Sequence, residues 1–269
     1  EVKGNDEFSV MAENLNTMQQ NIKEIMERER IAGHTKNDLV SSVAHDLRTP
    51  LTSIIGYLGW VRTRTDLDEE MRNHYIDIAY QKALRLEQLT NELFGFVKLE
   101  HKEMQLHLGK LDLVQLMEQM LDEMTPSFVK NELQVEFLHA EHAIFLEADG
   151  ELLARLFGNL LNNAVKYGKE GKQVRVSMEK EGEYVVTRVI NYGRIIPKQE
   201  LDHIFQKFYR TEQSRSRDTG GTGLGLAIVQ QIAELHHGQV RVKSDLQGTV
   251  FEVELPVGMP KGKKEDEKR

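Results

Sequence analysis

The sequence predicts two kinds of structure in one chain: an α-helical hairpin that pairs with a second copy into a four-helix bundle, and an α+β two-layer sandwich. Three observations predict them. Apolar residues recur at helical spacing through the first third of the chain. Beyond it, short alternating apolar stretches interleave with helical ones. A glycine-rich turn near the C-terminal end then leads straight into an amphipathic helix.

Bulk composition sets the outer bounds. The 269 residues are 39% hydrophobic and 29% charged, with net charge −8. That suits a globular protein with long exposed helices and argues against a nucleic-acid binder, whose surface is usually basic. The absence of cysteine excludes disulfides, zinc–thiolate sites and cysteine nucleophiles. No apolar run approaches the roughly 20 residues of a membrane span. The chain opens on Glu1 rather than Met, so a longer protein with an upstream membrane segment is expected.

Four stretches organise the chain. In 1–34, Met11, Leu15, Met18, Ile22 and Ile25 alternate four-three-four-three, a heptad pattern that predicts a coiled coil or helical bundle. In 35–98, Leu39, Val43, Leu47, Leu51, Ile54, Leu58 and Val61 form one apolar stripe. His45 falls roughly 180° from the centre of that stripe, and Thr49 lies within about 40° of His45. His45 is therefore expected in water, where a partner can reach it. Pro50 removes a backbone hydrogen bond in the turn beside it, which predicts a bend or a loosened turn. The stretch "TRTDLDEE" interrupts the pattern, and Tyr75, Ala79, Leu86, Leu89, Leu93 and Val97 mark a second helix. One such hairpin covers only part of its apolar surface, which favours a homodimeric bundle.

In 99–256, strands are predicted at 133–139, 172–179, 184–190, 239–244 and 249–255. Helices are predicted at 112–125, 150–166 and 224–236, the second capped by Asp149. The order favours one mixed sheet with helices on one face. The charged tail, 257–269, is expected to be disordered.

Four motifs in the sandwich region point to a nucleotide. "DTGGTGLGLAIVQQIAELHHG" (218–238) brings backbone close to a ligand and offers helix N–H groups to an anion. It lacks the Gly-Lys-Ser/Thr of a P-loop. "LFGNLLNNAVKYG" (156–168) puts Asn159 and Asn163 on one helix face. Their amide oxygens suit a hard cation such as Mg2+, and Lys166, with Tyr167 next to it, adds positive charge for the same phosphates. "NYGRIIP" (191–197) ends a predicted strand, and "IFQKFYR" (204–210) carries aromatics with Lys207 and Arg210. Bland readings run alongside: capping asparagines, a surface loop with an apolar anchor, and His236 and His237 as helix-terminal residues that suit the dipole. His101, His107, His139 and His142 show no metal-ligand spacing.

Together these stretches resemble the transmitter core of bacterial sensor histidine kinases. "SSVAHDLRTPL" resembles the family's phosphoacceptor box, "NLLNNAVKY" its Asn-containing box and "NYGRIIP" its first glycine box. "FQKFYR" resembles its phenylalanine box, and "GGTGLGLAI" its second glycine box. Order and spacing agree over roughly residues 36–256. Residues 4–18 resemble the end of the HAMP-like linker that follows a membrane span. Within the family the chain looks most like sensors of the vancomycin-resistance type.

The resemblance implies a dimerisation and histidine-phosphotransfer domain at 35–98 and a catalytic ATP-binding domain of the Bergerat (GHKL) type at 99–256. His45 would be phosphorylated, Asp46 would assist it as a base, and Thr49 would serve dephosphorylation of a response regulator. Asn163 would hold Mg2+, with Asn159 nearby. Lys166, Tyr167, Lys207 and Arg210 would line the ATP phosphates. Asn191 and Gly193 would meet the base, and Gly221, Thr222, Gly223, Leu224 and Gly225 would shape the lid hinge. The full-length protein would be anchored in the cell membrane with this portion cytoplasmic.

Two positions depart from the family pattern. Asn191 and Ile195 stand where Asp and Gly are usual. An amide can still accept from an adenine amino group, without charge. Ile195 costs flexibility where glycine would allow positive φ. The rival reading is therefore a dimeric scaffold that is non-catalytic or weakly active, with a degenerate nucleotide site.

Overall fold

The computed structural model describes residues 44, 46–64, 66–100, 106–211 and 222–258. The heptad pattern of 1–34, the HAMP-like linker, His45, Gly221 and nearly all of the charged tail lie outside the described residues. The chain divides into two compact units, the first ending at Leu86 and the second beginning at Glu87. The division falls inside one long helix.

In the first unit, α1 runs over 46–63 and is helical straight through Pro50. A helix α2, Glu69–Glu100, follows, and its first turn is capped by Asp68, whose Oδ1 accepts from the Met71 N–H at 2.7 Å. Aromatic contacts join the two helices near the connecting turn. Tyr57 stacks on Tyr75 with centroids 5.8 Å apart, and Trp60 meets Tyr75 edge-on at 5.7 Å. Within this unit Leu51, Ile55, Leu58, Ile76, Tyr80 and Leu84 remain exposed. A two-helix layer has nothing to lay over its second side, so these side chains face outward by geometry.

The second unit begins with the last turns of α2. Then come β1 (Gly109–Asp112), α3 (Leu113–Lys130), β2 (Gln134–His139), β3 (Phe145–Ala148) and α4 (Gly150–Tyr167). They are followed by β4 (Gln173–Glu181), β5 (Tyr184–Asn191), the single turn α5 (Lys198–Leu201), α6 (Gly225–Leu235), β6 (Gln239–Asp245) and β7 (Gly248–Pro256). A five-stranded mixed sheet has the order β2-β4-β5-β7-β6, parallel only between β2 and β4. β1 and β3 form a separate two-stranded sheet, which the periodicity did not predict. Each is four residues long, too short for an alternation to register.

One sheet face is apolar and the other charged. Val174, Val176, Met178, Val189, Phe251 and Val253 are buried beneath Leu153, Leu156, Leu160, Ile228 and Ile232 of α4 and α6. On the solvent face Arg188 Nε meets Glu252 Oε2 at 2.7 Å, and Arg175 Nε meets Glu136 Oε2 at 2.7 Å. The result is the expected two-layer α+β sandwich.

Asp149 and His236 fasten the helical layer. Asp149 caps α4 by accepting from the Leu152 N–H at 3.2 Å, and its Oδ2 accepts from the His107 N–H at 3.0 Å. The Asp149 N–H donates to His236 Nε2 at 3.1 Å, and His236 Nδ1 lies 2.8 Å from the Ile232 carbonyl oxygen. Only the neutral imidazole with its proton on Nδ1 satisfies both bonds. His236 ends α6 as the sequence predicts, but it is 2% exposed, and burial lowers its pKa against the opposing pull of the Ile232 carbonyl and the Asp149 charge. A folded-state pKa below the ordinary value means that this contribution to stability is complete above the unfolded pKa and is lost as pH falls through the folded pKa. Urea midpoints should therefore fall as pH is lowered from 7 toward 5. His236→Gln should be less stable at pH 7 and should show a smaller fall.

Candidate functional site

Two candidates of the first set, Asp46 and Thr49, sit on α1. Asp46 is half-buried and Thr49 exposed, three residues apart and so on one helix face. The Thr49 carbonyl accepts from the Ser53 hydroxyl at 3.1 Å. His45, between residues 44 and 46, lies outside the described residues.

The second set of candidates gathers at one end of the sandwich. α4 presents Asn159 and Asn163, both half-buried, and then Lys166 and Tyr167 in its last turn. Asn159 Nδ2 donates to the Arg155 carbonyl at 3.0 Å. The Lys166 ammonium stands 4.9 Å from the Tyr167 ring centroid. α6 comes in against this helix at Gly225, where a Cβ would lie 3.2 Å from Asn159 Oδ1. Asn191, the last residue of β5, is 4% exposed. Gly168 and Gly193 close around it: a Cβ at Gly168 would lie 3.3 Å from the Asn191 Cβ, and one at Gly193 would collide with the Tyr167 carbonyl oxygen. Two amide side chains, an ammonium, a helix N-terminus and a tightly packed strand end thus share one edge. This chemistry fits a nucleotide triphosphate with a hard cation on its phosphates.

The segment carrying Lys207 and Arg210 is tied to the glycine-rich stretch. The Phe208 N–H donates to the Gly223 carbonyl at 3.0 Å. Both residues adopt left-handed backbone, with φ of 62° at Phe208 and 72° at Gly223. A Cβ at Gly223 would lie 2.7 Å from the Phe208 carbonyl carbon, so glycine is required here on two counts. Thr222, 8% exposed, accepts from the Leu224 N–H at 3.2 Å and donates to Glu92 Oε2 at 2.7 Å. Glu92 and Arg155 were missed by sequence reasoning. They lie in ordinary amphipathic helix, and nothing in their local pattern marks them.

Ile195 is 44% exposed and is not among the residues with positive φ. The backbone freedom that glycine would supply there is not used. Isoleucine is therefore accommodated in this conformation without positive φ.

Comparison with known proteins finds two family models in succession along the chain. Residues 35–102 match the family model of the His Kinase A (phospho-acceptor) domain, and residues 148–259 match that of the histidine kinase-, DNA gyrase B- and HSP90-like ATPase. The "Sensor protein VanS" of Enterococcus faecium is 38% identical over 250 residues, covering 93% of this chain and 65% of that protein. The "Sensor protein VanSC" of Enterococcus gallinarum is 36% identical over 225 residues, covering 84% and 62%. Among solved structures, that of histidine kinase ThkA in complex with response regulator protein TrrA is similar. It has a TM-score of 0.69 and 26% identity, with 88% of this chain and 66% of that one covered. This chain spans 65% and 62% of the two curated relatives. A phosphoacceptor hairpin followed by an ATPase sandwich is the arrangement of a phosphotransfer signalling protein. The chain belongs to the sensor histidine kinases of two-component systems, and its relatives put it with the vancomycin-resistance type.

Crowding and backbone conformation at Gly223 can be separated by comparison with Gly182, whose φ is 64° with nothing within 4 Å of a Cβ. Gly182→Ala should cost about 1 kcal/mol in urea unfolding, and Gly223→Ala should cost more, up to about 3 kcal/mol. Equal losses would mean that the Phe208 backbone yields freely.

Proposed function

We propose that this chain transfers the γ-phosphoryl group of ATP to a nitrogen of His45 and passes it on to an aspartate of a response-regulator receiver domain. The observation that carries this reading is the convergence of the Asn159–Asn163–Lys166 face, the end of β5 and the N-terminus of α6, in a chain that also matches a phosphoacceptor domain at 35–102.

The imidazole of His45 attacks phosphorus in line, the bond to the β,γ-bridging oxygen breaks and ADP leaves. Asp46 accepts a proton or hydrogen bond from the other ring nitrogen and so fixes the nucleophilic tautomer. Asn163, helped by Asn159, would hold Mg2+, which would neutralise phosphate charge. Lys166, Lys207 and Arg210 meet the phosphates, with Tyr167 lining them. Asn191 and Gly193 meet the base, and 221–225 carry the backbone N–H groups that approach the triphosphate. Rate enhancement of this kind rests on positioning and charge.

Partners follow from the same reading. The exposed apolar side chains of the hairpin support a homodimeric bundle. The ThkA–TrrA complex, from a relative 26% identical, supports a receiver domain as the phosphoryl acceptor. We place the functional boundaries at 1–34, 35–98, 99–256 and 257–269, with the whole protein membrane-anchored and this portion cytoplasmic. None of the described helices is long and apolar enough to cross a membrane. Thr49, exposed on α1 beside Asp46, is proposed to orient the water that hydrolyses the regulator's phosphoaspartate.

The scaffold alternative rests on Asn191 and Ile195. Ile195 is accommodated without positive φ, and Asn191 keeps its place at the end of β5.

Incubation with γ-labelled ATP and Mg2+ should give an acid-labile, base-stable label on the wild-type chain and none on His45→Gln. Undiminished labelling of the variant would overturn the assignment. Thr49→Ala should keep near-normal autophosphorylation while regulator dephosphorylation falls on the order of tenfold or more. A parallel decline in both reactions is the result that defeats this division of roles.

A further inference from the structure

The last turns of α2, within the second unit, are held by three polar contacts. The Thr222 hydroxyl donates to Glu92 Oε2 at 2.7 Å. Arg155 Nη2 donates to the Glu92 carbonyl at 3.3 Å, and its guanidinium lies where any side chain at Gly95 would collide. Gln231 Nε2 donates to the Leu99 carbonyl at 2.6 Å. The loop before α6, α4 and α6 itself thus each grip the same helix end.

The face of α2 that meets them is unusual in composition. Leu89 and Leu99 are buried, at 5% and 3% exposure, and they anchor its two ends. Between them, beside the half-buried Leu93, stand Glu92 and Gly95, three residues apart. A carboxylate set into this otherwise apolar face is not what permanent packing favours, since a partly buried carboxylate gains little over a hydrophobic residue of similar volume. Glu92 is also well supplied with donors: Gln88 Nε2 donates to its Oε1 at 3.0 Å. Burial lowers the Arg155 pKa, and the Glu92 charge opposes that shift.

Thr222 gives the contact its consequence. Its single proton goes to Glu92, while its oxygen takes the N–H of Leu224, the residue just before α6. The first N–H groups of a helix lack intrahelical partners and attract anions. A carboxylate therefore stands two hydrogen bonds from the end of α6 that, on the reading above, receives a triphosphate. Two anions cannot share that end without repulsion in surroundings of reduced dielectric. Arg155 carries the link to the other side of the site, because its carbonyl holds the Asn159 amide.

We propose that Glu92 is an autoinhibitory latch: it holds Thr222 against α2, and the latched state and the nucleotide-bound state exclude one another. The inference rests on the glycine-rich stretch being the nucleotide site. Coupling of this kind is reciprocal. Loss of the latch tightens nucleotide binding, and nucleotide loosens the end of α2.

Both directions are measurable on the whole chain. Displacement of a fluorescent ATP analogue by Mg2+ and the β,γ-imido analogue of ATP would be compared for wild type, Glu92→Ala and Gly95→Ala. The second variant drives the Arg155 guanidinium off the Glu92 carbonyl while leaving the Glu92 side chain in place. Each should bind the imido analogue at least about fivefold more tightly. Hydrogen exchange of the wild-type amides at 92–99, which needs no variant, should quicken when the imido analogue is added. Unchanged or weaker affinity in both variants, or slowed exchange at 92–99, sinks the latch while leaving the nucleotide site standing. Failure of all three proteins to bind any adenine nucleotide sinks the nucleotide site, and the latch with it.

Discussion

The hydrogen bond from the Asp149 N–H to His236 Nε2 fixes the geometry on which the rest depends. It joins the residue before α4 to the residue after α6, so the two helices run antiparallel with their register set at one end. Some way along, Gly225 meets Asn159, a second point on the same pair. Two fixed points leave no freedom to slide. The N-terminus of α6 must arrive beside the Asn159–Asn163 face, and Lys166 must arrive near the end of β5. The pin is neutral, so it avoids the penalty of a buried charge, and it links residues 87 apart in sequence.

Backbone crowding then decides where glycine is indispensable. At Gly193 and Gly223 the space for a side chain is already taken, by the Tyr167 carbonyl and the Phe208 backbone respectively, whereas at Gly225 a Cβ would meet only the Asn159 amide, at 3.2 Å. At Ile195 it is not, and a bulky β-branched residue stands half in solvent without strain. A family pattern of glycines therefore mixes positions that the fold demands with positions it tolerates. Sequence alone does not separate the two, because the separation depends on which backbone passes within van der Waals range.

The same distinction explains what could be read early. Long periodic segments announce themselves: the apolar face of α4 and the alternation in β4 and β7 repeat often enough to give a period. Asp149 was legible as a cap because capping is local chemistry. β1 and β3 were not legible, since four residues cannot show a period, and β1 pairs with β3 across 32 or more residues of intervening chain. The burial of His236 was not legible either, because its partner, Asp149, lies 87 residues away. Glu92 and Arg155 escaped for a further reason. Each satisfies the ordinary pattern of an amphipathic helix, and their significance lies wholly in what they touch.

The burial of Asn191 bears on how its departure from the family pattern should be weighed. At 4% exposure, a carboxylate in its place would lose most of its hydration. Desolvation would raise its pKa and disfavour the charged form that makes it a strong acceptor. An amide carries no such penalty. It loses the charge-assisted bond, roughly twice as strong as a neutral one, but it adds a donor beside its acceptor. Against a base edge that offers both an amino group and a ring nitrogen, one amide can serve both, whereas an ionised carboxylate can only accept. On the proposed reading, asparagine at the end of β5 would exchange one strong bond for two weaker ones without the cost of stripping water from a charge.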